Sequence, residues 1–143
     1  MTQPITILNA HIPTLLQALT ALDGRKEVVV IDGADGKEKR ALTTIPYVFT
    51  GRARLTAGQW IAAIRGQAEI LNKAHDDTVR QYATAETPNV VAPENDAKFH
   101  AVMAAMDATP FEVSLPKIAY DDLNVEENKI PVTVIGVLVP ILA

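Results

Sequence analysis

Hydrophobic positions along this chain follow two different periods, and the period marks where each element lies. Leu15, Leu16, Leu19 and Leu22 recur at helical spacing behind Pro13. Proline suits a first helical turn, and Gly24 follows as a stop, so a helix is expected over 12–22. Glu27-Val28-Val29-Val30-Ile31 is a continuous β-branched run and reads as a strand. Asp32-Gly33 and Asp35-Gly36 are turn signals, and a second strand-like run follows at 40–49. Pro46 inside it marks an edge strand or a break. The pattern predicts a hairpin of 27–31 with 40–49 and an exposed, charged tip at 32–39.

The clearest helical signal comes next. Trp60, Ile64, Ala68, Leu71, His75, Val79 and Tyr82 recur every three or four residues, one face of a helix over 57–84. Thr56-Ala57-Gly58-Gln59 fits a capping box at its start. At a rise of about 1.5 Å per residue the helix spans about 40 Å, more than so small a domain needs to cover its own core. It either packs along other helices of this chain or projects into a partner. The stretch 85–94 holds Pro88 and Pro93 without a period and reads as an exposed loop.

Asn95 and Asp96 are good cap residues, and Phe99, Val102, Met103 and Met106 predict a helix over 96–107. Phe111, Val113 and Leu115 alternate with Glu112 and Ser114, a short strand closed by Pro116. The run 121–128 is acidic and turn-rich. The last 14 residues, from Ile130, are almost wholly apolar. Pro131 and Pro140 bracket a helix at 131–139, and the β-branched content makes a strand the rival. The helix is favoured because the prolines stand at helix-like separation. Either way the run lacks a polar face and should be covered almost entirely. The expected fold class is α+β: a long central amphipathic helix, with two or three shorter helices packed against a small antiparallel hairpin or sheet, in a single domain over 1–143.

Composition narrows the chemistry. The chain has 143 residues and no Cys. That removes disulfides, Cys-ligated zinc, iron–sulfur clusters and Cys nucleophiles together. Aromatic residues are 5%, so the core must be mainly aliphatic. The net charge of −4 is split unevenly, +2 over residues 1–72 and −6 over 73–143. An acidic chain argues against general binding to nucleic acid or to an anionic membrane. Arg52 and Arg54, with Arg40 and Arg65 nearby, form either a local positive patch or ordinary ion pairs. No secretory signal pattern is visible at the N-terminus. The apolar C-terminal run is shorter than the ~20 residues of a membrane span.

The glycine segment from Asp32 to Glu38 lacks the spacing of a Walker loop, of an EF-hand and of a dinucleotide fingerprint. A hairpin turn explains it. His11, His75 and His100 lie far apart without metal-ligand spacing. Ser114 is the only serine and has no elbow glycine. Asp121, Asp122, Glu126 and Glu127 form a local acidic run, either solvated or a docking strip for a basic partner. No catalytic residue, cofactor or metal is expected.

The hairpin leading through Gly51-Arg52 into the long helix, and the Leu115-Pro116-Lys117-Ile118 to Ile130-Pro131 pattern, resemble short accessory proteins of tailed bacteriophages. The resemblance implies a small phage-encoded accessory protein and transfers no functional residue. The expected function is a non-enzymatic assembly protein, a virion or morphogenesis component that self-associates or binds other virion proteins. Its expected location is the virion or the host cytoplasm. Candidate contact residues are Trp60, Ile64, Leu71, Val79 and Tyr82 on the helix, then Val134, Leu138 and Ile141; each can equally serve the chain's own core. The alternative is a small inhibitor or adaptor that docks on a host protein through Asp121, Asp122, Glu126 and Glu127, with Arg52 and Arg54 as further electrostatic contacts. A third reading is an enzyme whose site joins His75, Arg52 and Asp122.

Overall fold

A computed structural model describes residues 3–33 and 36–143. The expected turn positions Ala34 and Asp35 lie outside the described residues. The elements run β1 (Ile5–Leu8), α1 (Ile12–Thr20), β2 (Gly24–Asp32), β3 (Glu38–Pro46), α2 (Gly51–Tyr82), α3 (Asp96–Asp107), β4 (Pro110–Val113), α4 (Val125–Asn128) and α5 (Val132–Leu138). Short 3-10 turns link several of them. Two small antiparallel sheets, β1–β4 and β2–β3, stand beside the helices, so the fold is α+β as expected.

The core explains this arrangement. α1 presents Ile12, Leu15, Ala18 and Leu19 to the first half of α2, where Ala57, Trp60 and Ile64 are buried. The C-terminal segment closes the third side with Ile118, Leu123, Ile130, Leu138 and Ile141. Trp60 is the largest fully buried side chain, and its indole Nε1 donates to the Pro116 carbonyl at 2.7 Å. A buried indole N–H needs such a partner, so one residue supplies both packing and a directional anchor for the segment after β4.

Three local expectations are corrected. α2 begins at Gly51, six residues before the expected start at 57, because Thr50 is the N-cap: its backbone is extended and its Oγ1 accepts from the Ala53 N–H at 3.1 Å. Thr56 lies inside the helix and is buried, so the expected capping box is not used. The 131–139 run is helical, in α5, yet Val132 and Val139 stay well exposed, so the run is covered on one side only. Finally, the Asn95 side chain makes no cap; its amide donates to the Tyr82 carbonyl at 3.2 Å and ties the start of α3 to the end of α2.

The hairpin is present but pairs Gly24–Asp32 with Glu38–Pro46, not 27–31 with 40–49, so its tip is shorter than the expected 32–39. α1 ends in a 3-10 turn at Ala21–Asp23, and α3 has the expected bounds. β1, not expected from the sequence, pairs with β4 in the register Ile5↔Val113 to Leu8↔Pro110.

The exit from β3 is held by amides. The buried Asn128 accepts from the Val48 N–H at 2.9 Å and donates to the Val48 carbonyl at 3.0 Å. It also donates to the Leu123 carbonyl at 2.7 Å, and Asn124 donates to Val48 O at 3.1 Å. Asn128 thus pairs with Val48 as a strand backbone would. Asn124 and Lys129, which flank α4, take the left-handed conformation. Asn enters that region at less cost than most residues.

Candidate assembly surface

β2 and β3 form a two-stranded ribbon whose register runs from Gly24↔Pro46 to Asp32↔Glu38. Only its root meets the body. Gly24 is buried, and a Cβ there would stand 2.4 Å from the Ile45 carbonyl oxygen, so the root admits no side chain without moving β3. Tyr47, just beyond, is buried against the core; burial holds its phenol above its ordinary pKa, with Arg25 acting weakly the other way.

Beyond the root the ribbon enters solvent on both faces. Val28, Val30 and Leu42 share one face and are 62%, 53% and 69% exposed. Val29 and Ile31 lie on the other face and are also exposed. The cause is in the pairing. Val30 is opposite Arg40 and Ile31 opposite Lys39, and those charged groups cannot enter a core. An isolated two-stranded ribbon is marginal in water, and an apolar one standing free presents a surface for another chain.

The two edges differ. β3 carries Glu38, Lys39 and Arg40 at one end and Pro46 at the other, the features that blunt an edge. β2 carries no charge from Val28 to Ile31. At the tip the Gly33 N–H donates to the Lys37 carbonyl at 3.0 Å, in register with the ribbon. Antiparallel pairs alternate, so odd positions of β2 bond to β3 and even positions turn N–H and C=O outward. The outward groups of Lys26, Val28, Val30 and Asp32 meet no other strand among the described residues.

The residues expected to make contacts lie elsewhere. Trp60, Ile64, Leu138 and Ile141 are fully buried in this chain's own core, and Leu71 and Val134 pack partly against it. The four buried side chains fill this chain's own core. Val79 and Tyr82 are half-buried on the second half of α2, which lies against α3. Arg52 and Arg54 sit in the first turns of α2 and are both engaged. Arg52 holds Asp122 Oδ2 through Nε at 3.0 Å and a terminal nitrogen at 2.8 Å. Arg54 donates to the Tyr47 carbonyl and lies over the Phe49 ring, 5.5 Å from its centroid. Asp122 is therefore drawn inward, while Asp121, Glu126 and Glu127 stay exposed.

Of the trio His75, Arg52 and Asp122, only the last two meet. His75 lies 23 residues along α2 from Arg52, roughly 35 Å away. It is exposed, beside Asp76 and edge-on to Phe99. A cleft of about 430 Å³ lies elsewhere, between β1, α1 and α5, and His11 is its one ionisable lining residue. Among the described residues no group of three His, Asp or Glu is placed to hold a metal ion, and no helix is long and apolar enough to cross a membrane.

The ribbon's apolar positions were missed as a surface because a continuous β-branched run usually reads as a buried strand. The contrary signal was the Lys39-Arg40 pair on the partner strand. Compared with protein-family models, curated proteins and solved structures, the chain matches none.

Proposed function

We propose that this chain is a non-enzymatic assembly protein, a virion or morphogenesis component of a tailed bacteriophage that associates with copies of itself or with other virion proteins. One observation carries the reading: the β2–β3 ribbon presents Val28, Val29, Val30, Ile31 and Leu42 to solvent, two-faced and with an open edge. The ribbon has no role in closing the body's core beyond its root. Light scattering across a wide concentration range tests it. Growth of the mean mass with concentration is expected; a constant monomer mass, with no incorporation into particles assembled from their purified components, rejects the reading.

A docking adaptor is the second reading. Asp121, Glu126 and Glu127 favour it because they remain exposed on adjoining turns. It requires that reversing these three charges abolish capture of a basic partner while the melting transition stays in place.

A further inference from the structure

We infer that the open edge of β2 is the seat of a second copy of this chain, paired antiparallel about a two-fold axis through Val29. The inference rests on the self-association proposed above and specifies its geometry.

A two-fold axis normal to a sheet keeps each residue on its own face, so an even position meets an even one and an odd position an odd one. Few registers then remain. The register centred on Val28 sets Lys26 against valine and Arg25 against isoleucine. The register centred on Val30 sets Asp32 against Val28. With Val29 on the axis, Lys26 meets Asp32 of the second copy at both ends. Val28 meets Val30, and the outward N–H and C=O groups face each other over about eight hydrogen bonds. Glu27, opposite Ile31 in this register, is already neutralised by Arg25 at 2.9 Å.

The joined ribbons form one four-stranded sheet in the order β3, β2, β2, β3. On one face Leu42 and Val28 of each copy run on into Val30 of the other, an unbroken apolar band. On the other face the two Val29 side chains meet between the two Ala41 residues. Three or more strands with a shared apolar face are what a lone ribbon needs for stability. β3 cannot substitute as the paired edge, because centred on Leu42 it sets the charged Glu38 end against Pro46, which has no N–H to donate.

The test uses the whole chain, which contains no thiol of its own. Val29→Cys places one thiol per copy on the axis, in a non-hydrogen-bonded pair where side chains come closest. Mild oxidation is expected to give a disulfide-linked dimer, and Thr43→Cys, on the β3 edge, is expected to stay monomeric in the same gel. Independently, Asp32→Lys should weaken self-association about tenfold, and the swap Lys26→Asp with Asp32→Lys should restore it. Circular dichroism melting confirms that each variant is folded. If the wild type self-associates but Val29→Cys links no better than Thr43→Cys, or the charge swap restores nothing, the edge pairing is wrong and the assembly reading survives. A wild type that stays monomeric removes the edge pairing, and one that also fails to enter particles assembled from their purified components removes the assembly reading as well.

Discussion

The two sheets of this molecule use similar residues and meet opposite fates. β1 and β4 are four residues each, come from distant parts of the sequence, and bury Ile7 and Val113 in the core. β2 and β3 are nine residues each, adjoin in sequence, and leave their apolar side chains in water. The difference teaches that β-branched content does not decide burial. Connection and pairing do. β1 is held between α1 and the end of α3, where Asn9 donates to the Met106 carbonyl at 3.1 Å and accepts from Gln67 at 3.0 Å. The ribbon closes on itself, so nothing draws it back over the body.

If the contrast is real, substitutions should divide sharply between body and ribbon. Trp60→Ala removes the largest core side chain and strands the Pro116 carbonyl; it should lower unfolding free energy by about 3–5 kcal/mol in denaturant titration. Asn128→Ala takes the acceptor from the Val48 N–H and one of the two donors from the Val48 carbonyl under the β3 exit, and should cost about 2–3 kcal/mol by the same measurement. Val30→Thr, by contrast, should change the stability of the dilute chain by less than about 0.5 kcal/mol, because the side chain is already solvated. A loss like that of Trp60→Ala would mean that the ribbon is part of the body after all.

The smallest effect concerns the far half of α2. Lys73 bonds Asp77 at 2.8 Å and holds its carboxyl below the ordinary 3.8, with Arg80 assisting. The folded pKa is depressed, so the contribution to stability is present above 3.8 and fades as pH falls through the folded value. Both groups are exposed and screened, so a slight acid-side drop in helicity is expected, one that Lys73→Ala removes.

Periodicity located α1, α3 and the hairpin because each carries its own local signal. The start of α2 was obscured because Thr50 follows a strand, and Thr56-Ala57-Gly58-Gln59 offered a plausible cap farther on. β1 was hidden because four residues hold too little alternation to stand out. For the contact surface, the helix stripe was visible, but a stripe shows which face is apolar and not whose core it fills. Trp60 and Ile64 fill this chain's own. The Asn128 clamp could not be read from sequence at all, since it joins residues 80 positions apart.

Gly24 gives the ribbon a mechanical meaning. A nine-residue strand is about 30 Å long, so a tilt of roughly 10° at its root carries the tip about 5 Å. The close approach of Gly24 to Ile45 is thus the fulcrum of a lever. Gly24→Ala would force the two strands apart at that point and swing the far end out of the line that the proposed pairing requires. In the proposed two-fold pair the tilt enters once from each copy, so the angle between the two bodies would be set by the absence of one methyl group.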